Sequence, residues 1–177
     1  MNSLVYLVGL PGSGKTTVGR QLSRRLQLPF YDSDQVIVER LGCSIKEFFA
    51  RQGEEAFRDV EASVIDELTQ LPQAVISTGG GAVLRPANRV CLHSRGQVVY
   101  LQSSPEELAR RLKHDTQRPL LQVDDPLKRL RDLFAVRDPL YRETSHFVIE
   151  TGRPSVASLV HMIVAQLALV GAASAHL

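Results

Sequence analysis

Eight residues near the N-terminus, Gly9-Leu10-Pro11-Gly12-Ser13-Gly14-Lys15-Thr16, fit the pattern G-x-x-x-x-G-K-[ST] at every position. Glycines let successive backbone N–H groups turn toward one point and wrap phosphate oxygens. Lys15 can reach the outer phosphates of a nucleoside triphosphate, and the Thr16 hydroxyl can ligate Mg²⁺. Gly12, Ser13, Gly14, Lys15, Thr16 and Thr17 are therefore the candidate nucleotide-binding residues of this loop, with Lys15 also a candidate catalytic residue. The loop identifies the ligand class and leaves open what the phosphate is used for.

Three further groups carry chemistry. Asp32-Ser33-Asp34 places two carboxylates two residues apart. One can hold Mg²⁺, directly or through water, and one can bind or deprotonate a hydroxyl; alternatively, Asp34 caps the helix that follows. Thr78-Gly79-Gly80-Gly81 lacks the metal-binding Asp that many phosphate-loop proteins place here, and its glycines instead let backbone approach a ligand closely. The third group is a spread of arginines. Arg58 lies one helical turn before Glu61, Arg118 falls in a long irregular segment, and Arg137 follows a helix and precedes Asp138-Pro139. Each alone reads as a solvated charge; together they would bind anionic groups. No N-K-x-D guanine reader and no D-x-x-G switch occurs. Transfer of phosphate to a small molecule is favoured over regulated hydrolysis.

These groups need a scaffold that brings loop ends together. Leu4–Val8, Phe30–Tyr31, Ala74–Ser77, Val98–Leu101 and Phe147–Ile149 are short apolar runs that read as buried strands. Helical patterns fill the intervals. Ser44 with Glu47, and Ser104-Pro105 with Glu107, mark helix starts; Pro86 opens another helix, and Ser155 caps the last. Strand and helix in alternation predict an α/β domain with a parallel sheet covered on both faces. In such a sheet ligands bind at the carboxyl edge of the strands, where all the groups above stand. Residues 113–125 are polar, contain proline and are weakly periodic, which predicts a functional or mobile loop. The tail 168–177 has no functional signal, and Gly171–Leu177 is expected to fray.

The chain has 177 residues, 44% hydrophobic and 23% charged, which suits a single domain with a full core. A net charge of +2 gives no argument for nucleic acid. Cys43 and Cys91 are far apart and the five histidines lack metal-ligand spacing, so a reduced, cytoplasmic compartment is the simplest fit. Neither a signal peptide nor a membrane span is read.

Taken together, the sequence resembles the shikimate kinase family. The matching pieces are Gly9–Thr16, Asp32-Ser33-Asp34, Gly53-Glu54-Glu55-Ala56-Phe57-Arg58 with Glu61, Gly79–Gly81, Arg118-Pro119-Leu120-Leu121, and Arg137 ahead of Pro139-Leu140-Tyr141. The resemblance runs from about residue 4 to residue 167. It implies a three-layer phosphate-loop kinase fold in one domain over 1–177, with five parallel strands in the order 2-3-1-4-5. It also implies a substrate-binding helical region at about 34–61 and a mobile lid at about 113–125. The implied reaction is ATP- and Mg²⁺-dependent phosphorylation of the 3-hydroxyl of shikimate, a step of aromatic amino-acid synthesis. Under the resemblance, Lys15 and Thr16 serve the phosphates and Mg²⁺, and Asp32 supports Mg²⁺ through water. Asp34 grips the shikimate hydroxyls and is the candidate base. Arg58 and Arg137 hold the carboxylate, with Glu61 beside Arg58. Gly79, Gly80 and Gly81 line the substrate, and Phe49 and Phe57 wall its ring. Arg118 arrives with the lid on the transferring phosphate, and Arg111 and Arg153 flank the adenine. A monomer acting on small molecules alone is implied. A gluconate kinase shares the phosphate loop but not the triple glycine with Asp34 and Arg58. A non-catalytic binder on the same scaffold would be favoured if Lys15, Asp34 or Arg118 were replaced.

Overall fold

The computed structural model describes residues 3–113 and 123–174. Strand β1 (Ser3–Val8) is buried along its whole length after Ser3, as its unbroken apolar run requires. It lies at the centre of a five-stranded sheet ordered β2-β3-β1-β4-β5. The neighbours are β2 (Phe30–Asp32), β3 (Gln73–Ser77), β4 (Gln97–Gln102) and β5 (Phe147–Glu150). Every pairing is parallel, with Tyr6 aligned to Ile76 on one side and to Val98 on the other. The expected strand order and all five strands are present, each longer by one residue at one end, or at both ends for β4.

Successive side chains of a strand point to opposite faces, and β1 divides its residues that way. Val5 and Leu7 pack with Val18 and Leu22 of α1 (Lys15–Leu26) and with Leu159, Val160 and Ile163 of α7 (Val156–Ser174). Leu4, Tyr6 and Val8 pack on the other face. Their partners come from α3 (Ile45–Leu68), α4 (Pro86–Arg95), α5 (Pro105–Leu112) and α6 (Pro126–Thr144). Burying a side chain such as Leu22, fully enclosed here, stabilises the fold by about 1.5–3 kcal/mol. The short helix α2 (Ser33–Leu41) packs on α3 beside β2. No helix among the described residues is long and apolar enough to cross a membrane.

The helix starts agree with their side chains. Ser44 accepts from the Glu47 N–H at 3.1 Å, Ser104 from the Glu107 N–H at 3.2 Å, and Ser155 from the Ser158 N–H at 3.1 Å; Pro86 opens α4. Three expectations need correction, and one break inside a helix was not anticipated. The cap of α2 is Asp32, whose Oδ1 accepts from the Asp34 N–H at 3.0 Å, so the Asp34 carboxylate is not spent on capping. Arg137 does not follow a helix but lies inside α6, which runs on through Pro139. Proline removes only one N–H from the ladder, and the packing of Leu133 and Tyr141 in the core carries the helix past it. Gly53, at φ 83°, breaks α3 into two helical stretches. Finally, α7 continues to Ser174, as alanines at 172 and 173 favour.

One contact at the base of the sheet makes stability depend on pH. The rings of His93 and His146 stack with centroids 4.2 Å apart. The Val98 N–H donates to His146 Nδ1 at 2.9 Å, so that nitrogen must be unprotonated. His93 Nδ1 faces the Thr144 carbonyl at 3.0 Å and therefore carries its hydrogen. Burial, then the neighbouring His93, hold the His146 pKa below its ordinary value. With a lowered folded pKa, the unfolded chain takes up the proton first. Stability is then full above about pH 6.5 and falls as pH drops from there through the folded value. Thermal melting between pH 7 and pH 5 should show this fall, with a shallower slope in His146→Gln. Parallel slopes in the two proteins would contradict the assignment.

Candidate active site

The phosphate loop leaves β1 at Gly9 and enters α1 at Lys15. Three of its glycines have positive φ: Gly9 at 154°, Gly12 at 85° and Gly14 at 95°. A Cβ at Gly9 would lie 2.7 Å from the Leu101 carbonyl of β4, so the loop is pressed against the sheet edge. The buried Lys15 donates through Nζ to the carbonyls of Gly9 at 2.6 Å and Leu10 at 3.0 Å. Its charge is thereby held over the loop. Ser13 is buried, whereas Thr16 and Thr17 face the cleft at the start of α1. The free N–H groups of that helix end favour an anion.

The Thr16 hydroxyl donates to Asp32 Oδ2 at 3.0 Å. The two residues therefore offer hard oxygen atoms side by side beneath the phosphate loop. A divalent ion bound mainly through substrate phosphates and water needs no larger protein cage, so the pair fits the implied metal.

The cleft continues from the loop into a second half without interruption, enclosing about 1020 Å³. Asp34, Phe49, Phe57, Arg58, Glu61, Gly79, Gly80, Gly81 and Arg137 all line it. Glu61 is buried and accepts from Arg58 Nη1 at 2.8 Å; Arg58 also reaches Glu54 at 3.4 Å. Burial pushes the Glu61 carboxyl pKa up and Asp34 adds to the push, while Arg58 and Arg137 oppose it. The triple glycine is explained by these side chains. A Cβ at Gly79 would come within 2.5 Å of Asp34 Oδ1, one at Gly80 within 2.9 Å of Pro11 Cδ and 3.3 Å of Arg137 Nη1, and one at Gly81 would collide with the Arg58 guanidinium. Phe49 and Phe57 form an apolar wall, their ring centroids 4.8 Å apart.

On the far side of the loop, Arg111 lines the cleft from the last turn of α5. It donates to Glu107 at 2.8 Å, to the Thr151 carbonyl at 3.2 Å and to the Gly12 carbonyl at 3.3 Å. Arg153 is not brought into this cleft. It is exposed beyond β5 and lines a separate depression with Val148, Pro154 and Met162. Arg118 and most of the lid segment lie outside the described residues.

Two site residues went unread in the sequence. Ser33, fully buried between the two aspartates, accepts from the Gly79 N–H at 3.0 Å. Tyr141, also fully buried, donates to the Gly80 carbonyl at 2.6 Å. The signal available for each was position alone: Ser33 inside Asp32-Ser33-Asp34, and Tyr141 one turn after Arg137.

Comparison with known proteins agrees with this geometry. A family model described as "Shikimate kinase" matches residues 11–168. The shikimate kinase of Paracidovorax citrulli is 59% identical over 170 residues, covering 94% of this chain and 93% of that protein. The shikimate kinase of Ralstonia nicotianae is 55% identical over 169 residues, covering 96% of this chain and 89% of that protein. Among solved structures, the shikimate kinase of Acinetobacter baumannii in complex with shikimate superposes with a TM-score of 0.90 at 45% identity, over 96% of this chain and 94% of that one. A phosphate loop, an arginine-lined second half-site and a 2-3-1-4-5 sheet thus meet similarity over nearly the whole chain, and the chain belongs to the shikimate kinase family.

Proposed function

We propose that the protein transfers the γ-phosphoryl group of ATP to the 3-hydroxyl of shikimate, giving shikimate 3-phosphate and ADP. The observation that carries this reading is the single cleft joining the phosphate loop to a pocket with Arg58 and Arg137 beside Asp34. Shikimate has one carboxylate, vicinal hydroxyls and a small ring. Two guanidiniums, a carboxylate and the Phe49–Phe57 wall match those parts in turn. The shikimate held by the Acinetobacter relative supports the same acceptor.

Phosphoryl transfer depends mostly on positioning and charge neutralisation. The phosphate loop and Lys15 hold the triphosphate; Thr16 and Asp32 would hold Mg²⁺. The ion, when bound, neutralises charge on the phosphates. Arg58 and Arg137 fix the acceptor by its carboxylate, which turns a hydroxyl toward Asp34. Asp34 then accepts the hydroxyl proton as oxygen attacks phosphorus. Arg111 steadies the nucleotide from the far side of the loop. Arg118 completes the proposed ATP contacts, on the transferring group; Arg153, outside the cleft, is given no contact.

Purified protein given ATP, Mg²⁺ and shikimate should yield shikimate 3-phosphate, identified by phosphorus NMR. Asp34→Asn should lower kcat about 10²–10⁴-fold, the span of a general base, with nucleotide binding nearly intact. No product from folded wild-type protein would overturn the acceptor. Near-normal kcat in the variant would overturn the base.

The two arginines should differ on removal. Arg137→Ala should weaken shikimate binding by roughly ten- to a hundredfold, as for loss of a hydrogen bond to a charged group, with ATP affinity unchanged. Arg58→Ala leaves Glu61 buried without its ion-pair partner and should also destabilise the fold by up to about 3–5 kcal/mol. Calorimetric titration and thermal melting of both variants test this. Equal loss of ATP and shikimate binding in Arg137→Ala would contradict the carboxylate role.

A further inference from the structure

The Gly79–Ala82 segment is a β-turn closed by the Ala82 N–H donating to the Gly79 carbonyl at 3.0 Å. Its central peptide joins Gly80 to Gly81. Neither residue has positive φ, which excludes a type II turn and fits type I. A type II turn has the same ends with the central peptide rotated by about half a turn, and it needs positive φ at its third residue. Glycine at position 81 makes both forms accessible. Something outside the turn must select one.

Tyr141 is placed to do so. Its ring is fully buried and packs on Tyr100 with centroids 4.9 Å apart. Its hydroxyl donates to the Gly80 carbonyl at 2.6 Å, from α6 and 61 positions away in sequence. The peptide is trans, so the Gly81 N–H points opposite to that carbonyl. Tyr141 does not line the cleft, whereas Gly80 and Gly81 do. The carbonyl is therefore drawn inward, and the donor is left on the ligand side. Arg137 and Arg58 flank the same two glycines, Arg137 Nη1 lying 3.3 Å from the Cβ position of Gly80. Rotated the other way, the peptide would turn a carbonyl oxygen toward the place where two guanidiniums gather an anion.

We propose that Tyr141 is a positioning residue for the acceptor: its hydroxyl locks the Gly80–Gly81 peptide with the Gly81 N–H facing the cleft, where it donates to the anionic or hydroxyl oxygen held by Arg58 and Arg137. This rests on the reading of the cleft as a shikimate site. Ser33 pins the start of the turn through the Gly79 N–H, and Tyr141 chooses the orientation of its central peptide.

Tyr141→Phe tests this with the loss of one oxygen atom, leaving the ring to fill the core. The expected result is a KM for shikimate raised about five- to tenfold, the worth of one hydrogen bond, with the KM for ATP unchanged. In ¹⁵N-labelled wild-type protein, shikimate should shift the Gly81 amide resonance; in the variant the shift should shrink, or the resonance broaden as two peptide orientations exchange. A variant with a wild-type KM for shikimate and a wild-type Gly81 shift would overturn the proposal. So would a lowered melting temperature with both KM values raised alike, which marks a merely structural residue. Wild-type protein that turns over no shikimate would overturn the acceptor reading instead, an outcome visible before any variant is made.

Discussion

The acceptor half of the cleft depends on the buried pair between Arg58 and Glu61. Glu61 is enclosed within the fold, where an isolated carboxylate would be costly. The Arg58 guanidinium, 2.8 Å away, opposes the rise in its pKa that burial causes. Glu61 in turn holds Arg58 against the Gly81 backbone, in the space a side chain there would fill. A buried ion pair is weak evidence of stability, because desolvation offsets most of its attraction. Its value here is position: it fixes one cation of the cleft before any ligand arrives. A pre-organised cation does not have to be ordered on binding, so less of its attraction for a carboxylate is lost.

The sheet order explains how two ligands share one cleft. With β1 at the centre, β3 and β4 lie on opposite sides of it, and the phosphate loop emerges where the order changes direction. Groups after β2 and β3, namely Asp32, Asp34 and Gly79–Gly81, fall on one side. Groups after β4 and β5, namely Arg111 and the Thr151 carbonyl it holds, fall on the other. In the proposed reaction, acceptor and nucleotide thus approach the loop from opposite flanks. Asp32 stands at the junction. One of its oxygens caps α2 and the other faces Thr16, so the same side chain orients the acceptor helix and supports the phosphate end.

What the sequence disclosed follows the range of the interaction. The phosphate loop, the strands and the serine caps were legible because each is set by residues within a few positions of one another. The residues of the proposed acceptor site were legible as types at loop ends, once a parallel sheet was expected. Ser33 and Tyr141 were not, because each acts on a glycine 46 and 61 positions away, respectively, and neither hydroxyl announces its partner. Arg137 lies inside α6 although Pro139 follows two residues later; packing of α6 on the sheet overrides the local preference of proline for a helix end. Gly53 gave no warning that it divides α3, since a lone glycine inside a helical pattern is usually tolerated.

The central claim is that the second half-site is charge-matched to one carboxylate. Calorimetric titration of the wild-type protein with shikimate and with its uncharged carboxamide tests it most directly, since shape and hydroxyls are kept and only the charge is removed. The carboxamide should bind at least roughly tenfold more weakly, the lower bound for losing charge-assisted hydrogen bonds, with the difference shrinking in Arg137→Ala. Equal affinity for the two compounds would contradict it.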